Sequence, residues 1–120
     1  MFSLTPEMRY FLCPGKTDMR KGLNSLCGII EQHMGHKVCH GDVFIFVNRS
    51  KTTVKLVHAE DGGLVLYMKR LEQGTFAMPH YDNQTNSFMM DWQGLKHMVD
   101  GLCIDSNKRH KRLLSLGRDR

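Results

Sequence analysis

The segment "GDVFIFVNRSKTTVKLVHAEDGGLVLYMKRL" (residues 41–71) decides the fold. Three runs within it, at 41–48, 53–59 and 64–71, are dense in β-branched and aromatic residues, which favour extended strands. The connections between these runs, "RSKT" and "EDGG", are short and polar or contain glycine, as the connections of β-hairpins do. The pattern therefore predicts a three-stranded antiparallel meander over residues 42–71.

A strand and a helix are predicted before this meander. The run "MRYFLC" (8–13) has the composition of a short strand and ends at Pro14-Gly15, a common turn signal. Thr17 is then placed to cap a helix, because its hydroxyl can accept a hydrogen bond from an amide of the first turn. Gly35 is placed to end that helix. Apolar residues recur between them at spacings of three and four, at Met19, Leu23, Leu26, Ile30 and Met34.

Beyond the meander, the sequence predicts a short edge strand, a loop and a second helix. "GTF" (74–76) begins the edge strand, and the polar segment 80–87 forms the loop. Asp91 can cap the helix, whose apolar face is formed by Trp92, Leu95, Val99 and Leu102. One antiparallel sheet with both helices packed on one face is the simplest arrangement that buries these residues. We therefore predict an α+β fold with a single domain over residues 1–105 and a basic tail over 106–120.

Length and composition are those of one soluble globular domain. The chain has 120 residues, and no apolar run approaches the roughly 18 residues of a transmembrane helix. Its start, "MFSLTPEMRYF", lacks the basic and apolar regions of a signal peptide. The cysteines, Cys13, Cys27, Cys39 and Cys103, form no C-x-x-C pair, so free thiols are expected. We therefore expect a cytoplasmic protein.

The net charge of +5 is concentrated at the C-terminal end. Residues 1–105 carry 11 basic and 11 acidic side chains, whereas residues 106–120 carry six basic ones against Asp119 alone. A concentrated basic segment attracts polyanions, of which nucleic acid is the commonest. The alternative is a solvated tail that aids solubility. The candidate nucleic-acid contacts in the tail are Lys108, Arg109, Lys111 and Arg112.

Two further groups of basic residues lie in the body of the chain. Arg20 and Lys21, together with Lys16, stand at the start of the predicted first helix, where unpaired amides favour anions. Arg49 and Lys51 lie at the tip of the first hairpin, and such tips can reach a nucleic-acid backbone. Either group can also be an ordinary solvated surface, so both interpretations stay open.

The register of the second hairpin decides where further basic residues point. A three-residue loop over 61–63 places Lys55 opposite Lys69 on the face away from the core. Two lysines so placed repel each other by roughly a few tenths of a kcal/mol unless an anion bridges them. A loop of two or four residues exchanges the faces, and an ordinary solvent face remains the alternative. Lys55, Lys69 and the adjacent Arg70 complete the candidate contacts.

The densest group of metal-ligand side chains is "HMGHKVCHGD" (33–42), which contains His33, His36, Cys39 and His40. Imidazole and thiolate are the usual zinc ligands, but structural zinc sites usually take ligand pairs from two separate places. No tight second pair exists in this sequence, so we predict no metal, with a small zinc-binding module as the alternative. No local signature of a catalytic nucleophile or a phosphate-binding loop is present, so neither catalytic residues nor a cofactor are predicted.

Several blocks of the sequence, taken in order, resemble one known family. The blocks are "TDMRKG" (17–22), "GDVFIFVNR" (41–49), "VKL" (54–56) and "DGGLVLYMKRLEQGTF" (61–76). They resemble the small TnpB-type accessory proteins, which are the second-open-reading-frame products of one class of bacterial insertion sequences. These proteins are unrelated to the RNA-guided nucleases of the same name. The C-terminal third is similar only in character, as a helix followed by a basic tail.

The resemblance implies a role in DNA transposition other than that of the recombinase, because the transposase of such elements is a separate, larger protein. It implies two partners, the transposase of the same element and the DNA of the transposon ends. We therefore expect a non-catalytic accessory protein that uses the basic residues named above. The alternative is a protein–protein adaptor that leaves DNA contact to the transposase.

Overall fold

The computed structural model describes residues 4–39, 41–82 and 84–99, and within them it contains five strands and two helices. In chain order these are β1 (Arg9–Leu12), α1 (Leu23–Gln32), β2 (Asp42–Val47), β3 (Thr53–Glu60), β4 (Gly63–Arg70), β5 (Phe88–Met90) and α2 (Trp92–Val99). The strands form one sheet in the order β4-β3-β2-β1-β5. Neither helix is long and apolar enough to cross a membrane. The predicted boundary at residue 105 and the basic tail lie outside the described residues.

The predicted meander is confirmed, because β2, β3 and β4 pair as antiparallel neighbours. β1 instead pairs parallel to β2, with Arg9 beside Asp42 and Leu12 beside Ile45, so the sheet is mixed. A parallel pair requires a crossover connection, and α1 provides it. As a result, the carboxyl ends of β1 and β2 lie at the same end of the sheet.

The edge strand predicted at residues 74–76 is absent from the structure of that segment. The backbone N–H of Phe76 donates to the carbonyl of Lys51 (2.8 Å), and the Phe76 side chain is buried. Phe76 therefore fastens the connection after β4 to the turn between β2 and β3. The strand that pairs with β1 is β5, which lies just after the predicted loop.

The two helices cover opposite faces of the sheet. The cluster under α1 includes Leu26, Ile30, Phe11, Phe44 and Phe46, and the cluster under α2 includes Leu95, Met98, Tyr10, Val43 and Ile45. Successive side chains of a strand point to opposite faces, so alternate residues of β2 meet different helices. All residues of β2 are buried, and a strand with two buried faces needs a cover on each. This finding corrects the expectation of both helices on one face, while the α+β class itself is confirmed.

The second hairpin has a two-residue turn, so the register built on a three-residue loop is wrong. Asp61 and Gly62 form the turn with φ of +47° and +81°, the left-handed conformation that Asp-Gly turns adopt readily. Lys55 therefore pairs with Met68, and Lys69 pairs with Val54. Lys55 lies on the face of α1 and Lys69 on the face of α2, so the two lysines do not repel each other across the strands.

Of the three residues predicted to lie at the ends of the helices, two are confirmed and one is wrong. Gly35 follows the end of α1 with φ of +74°, and the Asp91 side chain caps α2 by accepting from the N–H of Gly94 (2.7 Å), as predicted. The cap predicted at Thr17 is wrong, because α1 begins at Leu23 after Gly22. Thr17 is buried, and its N–H donates to the carbonyl of Val47 (2.8 Å) at the end of β2.

Candidate nucleic-acid interface

Two basic segments that are far apart in the sequence meet at the carboxyl ends of β1 and β2. Residues 15–21 follow β1, and residues 48–52 form the turn after β2. Because β1 and β2 are parallel, both segments leave the sheet at the same end. Between them lies a surface depression, which we call the basic groove, lined by Lys16, Lys21, Asn48, Arg49 and Lys51. One part of it is a cavity of about 460 Å³, whose other wall is formed by Met78, Pro79, His80 and Tyr81.

The segment 15–21 is held in place by the sheet. In addition to the hydrogen bond from Thr17 to Val47, the Nζ of Lys55 donates to the carbonyls of Met19 (2.8 Å) and Lys21 (2.9 Å). Lys55 is only 8% exposed, so its ammonium group is directed into the protein. Lys55 therefore anchors the segment, and we do not retain it among the candidate DNA contacts.

The turn 48–52 is ordered by the side chain of Asn48. Its Oδ1 accepts from the N–H of Thr52 (2.9 Å) and Thr53 (3.0 Å), and its Nδ2 donates to the hydroxyls of Ser50 and Thr52. Lys51 has φ of +61°, and its N–H donates to the carbonyl of Asn48 (3.1 Å). The turn thus presents the exposed side chains of Arg49 and Lys51 from a fixed backbone.

Replacing Asn48 by alanine is expected to lower the free energy of unfolding by about 1–2 kcal/mol, because the amides of Thr52 and Thr53 lose their acceptor. Ser50→Ala is the matched control, since it removes only exposed hydroxyl contacts, with Asn48 and Thr52, from the same turn, and a change within about 0.5 kcal/mol is expected. Urea denaturation of the two variants measures both values. Equal losses in both variants would show that Asn48 does not organise the turn.

The basic groove carries an excess of positive charge although residues 1–105 are formally neutral. Five of their 11 basic residues lie in segments 15–21 and 48–51, where Asp18 is the one acidic residue. Arg20 binds Asp18 through its guanidinium (Nη2 to Oδ2, 2.7 Å), and these hydrogen bonds hold the pKa of Asp18 well below its usual range. Asp18 therefore stays ionised and neutralises Arg20. The other four cations, Lys16, Lys21, Arg49 and Lys51, make no ion pair with the described residues.

The remaining candidate contacts lie on β4 or outside the described residues. Lys69 lies on the opposite face, where its Nζ donates to the carbonyl of Val99 (2.9 Å) at the end of α2. Arg70 is exposed at the end of the edge strand β4. The tail residues Lys108, Arg109, Lys111 and Arg112 lie outside the described residues. The structure thus brings together the group at residues 16–21 and the hairpin tip. Lys55 lies beneath the first group, Arg70 pairs with Thr53 beside the hairpin tip, and Lys69 lies on the other face of the sheet.

The histidine and cysteine cluster is spread along the connection from α1 to β2. His33 ends α1, and the ring of His36 packs against Phe11 (4.3 Å between centroids) and Phe44 (5.8 Å). Cys39 is exposed, and His40 lies outside the described residues. No three histidine, cysteine or acidic side chains converge on a possible metal site within residues 4–39, 41–82 and 84–99.

His80 and Tyr81 line the basic groove but were not predicted as site residues. Both were placed in a polar loop, and the structure folds that loop over the segment after β1. The hydroxyl of Tyr81 accepts from the N–H of Gly15 (3.0 Å), and its ring contacts Phe88. The two bonded residues are 66 positions apart, and no local pattern could have indicated that contact.

The blocks that carry the family resemblance form the basic segment 17–22, the strands β2 to β4 and the connection after β4. Residues 8–109 match the family described as IS66 Orf2-like proteins, and the chain belongs to that family. This membership confirms the resemblance inferred from the sequence and identifies an accessory protein associated with transposition.

Comparison with curated proteins shows similarity to an uncharacterized protein, y4hO, of Sinorhizobium fredii. The two chains are 32% identical over 73 residues, which cover 61% of this chain and 64% of the relative. The match thus spans less than two thirds of the relative's own length. No solved structure matches the chain.

Proposed function

We propose that this protein is a non-catalytic accessory factor that contacts the DNA of the transposon ends through the basic groove. The observation that carries the proposal is the convergence of Lys16, Lys21, Arg49 and Lys51 from two distant segments onto one concave surface. Cations gathered in this way suit a polyanion better than the same cations scattered over the surface.

The chemistry of these side chains supports contact with phosphates. Lysine and arginine bind phosphate oxygens, and such contacts fix the position of a protein on a duplex without reading its sequence. The turn at Arg49 and Lys51 projects beyond the ends of β2 and β3, where a backbone can reach it. The tail residues 108–112 would add phosphate contacts of the same kind. Such binding is driven by counterion release and requires no catalytic group.

We further propose that the transposase of the same element acts on the DNA that this protein holds. The exposed apolar side chains of Leu64, Met68 and Met89 favour a second candidate, a protein–protein adaptor without DNA contact. The two candidates differ in what connects the chain to the transposase. In the first the connection is DNA, and in the second it is a direct protein contact.

Affinity purification of the tagged chain from cells that carry an intact element tests both candidates. We expect the transposase and transposon-end DNA to be recovered together, and the transposase to be lost after nuclease treatment. Recovery of the transposase that survives nuclease treatment would favour the adaptor. A chain that recovers neither partner under low salt would contradict the accessory role itself.

A further inference from the structure

The outer edge of β4 presents unpaired backbone groups. β4 is the last strand of the sheet, and no described residue pairs with its outer side. Glu60 and Gly63 flank a two-residue turn, so each donates a backbone hydrogen bond to the other. Along the ladder, every second pair of residues on β3 and β4 is hydrogen-bonded in the same way. The hydrogen bond from Leu71 N–H to the Thr52 carbonyl (2.8 Å) continues this alternation. The groups directed outward therefore belong to Leu64, Leu66, Met68 and Arg70.

The same residues form an apolar stripe on one face of the edge strand. Leu64, Leu66 and Met68 lie on the face of α1, because their partners on β3 include Val57 of the α1 cluster. Leu64 is 42% exposed and Met68 is 57% exposed, while Leu66 packs partly against the cluster. Soluble proteins usually protect a long edge strand with charge, proline or a bulge at its outward positions. Here three of the four outward positions are apolar.

The charges at the two ends of β4 are opposite in sign. Asp61 lies in the turn before the strand, and Arg70 is exposed at its end. When a strand pairs antiparallel with a copy of itself, its start meets the partner's end. The ends of β4 are thus complementary to themselves in that arrangement and in conflict in a parallel one.

We propose that a second copy of this chain pairs with β4 in antiparallel register, which extends the sheet to ten strands across a twofold axis. With Leu66 opposite the partner's Leu66, Leu64 meets the partner's Met68, and Arg70 reaches the partner's Asp61. Each contact occurs twice, as in any isologous interface. The apolar stripes then join into one surface on the face of α1, and the outward backbone groups find partners. This interface is separate from the basic groove and does not depend on DNA contact.

Two single charge reversals test this interface and separate it from folding. Arg70→Asp leaves two like-charged carboxylate contacts per dimer, and Asp61→Lys leaves two like-charged cationic contacts. Each variant alone is expected to raise the dimer dissociation constant about tenfold or more. In a mixed dimer of the two variants both contacts are again attractive, because one pairs Arg70 with Asp61 as in the wild type and the other has the two signs exchanged, so an equimolar mixture is expected to return dimers to near the wild-type level. Sedimentation velocity on the nuclease-treated full-length chain measures the dissociation constant of each variant and the fraction of dimer in the mixture.

A second pair of variants covers the case in which a charge reversal disturbs the fold. Met68→Lys introduces a charge at an exposed outward position of β4, and Met89→Lys introduces the same charge at an exposed position of β5. Only the change at Met68 is expected to weaken the dimer. The proposal is overturned if the wild-type chain sediments as a monomer at all concentrations, if both methionine variants weaken the dimer equally, or if two folded charge variants fail to restore dimers on mixing.

Discussion

Replacing Lys55 by methionine is expected to lower the free energy of unfolding by about 2–3 kcal/mol. The substitution keeps an unbranched apolar chain of similar length but removes the ammonium that donates to the carbonyls of Met19 and Lys21. Hydrogen bonds from charged groups contribute about 1.5–3 kcal/mol each. Part of their loss is offset because the variant no longer buries an ammonium group, which is itself unfavourable. Calorimetry or denaturant titration gives the value, with far-UV circular dichroism to confirm that the variant folds.

The same substitution is expected to weaken DNA binding although Lys55 does not reach the DNA. Without its anchor, the segment 15–21 loses the position that brings Lys16 and Lys21 into the basic groove. Lys37→Met is the matched control, because Lys37 is exposed in the connection before β2, at the opposite end of that strand. We expect this control to change stability by no more than about 0.5 kcal/mol. A Lys55→Met variant as stable as the control would show that the buried ammonium does not hold the segment.

The largest expected effect on DNA binding comes from removing both cations of the hairpin tip. Arg49→Ala combined with Lys51→Gly is expected to reduce affinity for a transposon-end duplex about 30-fold, which corresponds to about 1 kcal/mol for each lost phosphate contact. Glycine is chosen at position 51 because the φ of +61° suits it, so the turn is not strained by the change. Fluorescence anisotropy with a labelled duplex measures the affinity.

The control for this double variant is Lys37→Glu. Both proteins lose two units of net charge from the +5 of the wild-type chain, and both retain the basic tail. A difference between them therefore reports the position of the charge rather than its amount. We expect Lys37→Glu to bind within about twofold of the wild-type chain. Equal losses in the two proteins would show that net charge, and not the basic groove, determines binding.

The sequence predicted the strands of the meander because their signals are local. Runs of β-branched and aromatic residues with short polar connections indicate strands wherever they occur, and β2, β3 and β4 lie where expected. The same runs also indicated that two faces are buried, since "VFIFV" in β2 has no polar alternation. A strand of this kind needs a cover on each face, which is why the helices lie on opposite sides of the sheet.

The register of the second hairpin was beyond the reach of composition. "DGG" supports a loop of two or three residues, and a slip of one residue exchanges the faces of every side chain on β4. The pairing along β3 settles the choice, with Lys55 beside Met68. The role of Lys55 could not be predicted for a further reason. Its two acceptors are backbone carbonyls of a loop whose path depends on the parallel pairing of β1 and β2.

The candidate site was predicted in parts but not as a whole. The basic groups at residues 16–21 and at the hairpin tip were each found from local patterns, and each alone resembled an ordinary solvated surface. Their meeting depends on the direction of β1, which the meander pattern does not specify. The wall formed by His80 and Tyr81 depends on a contact between distant residues. Local patterns therefore indicated the cations, and only the fold showed which of them share a surface.

The salt dependence of duplex binding tests the central claim most directly. For a protein that displaces counterions from phosphates, the logarithm of the binding constant falls linearly with the logarithm of salt concentration, by about 0.9 for each phosphate contact on a duplex. We predict a steep line for the wild-type chain and a line shallower by about two for Arg49→Ala/Lys51→Gly, with Lys37→Glu parallel to the wild type. A wild-type line without slope, or a double variant parallel to the wild type, would contradict phosphate contact through the basic groove.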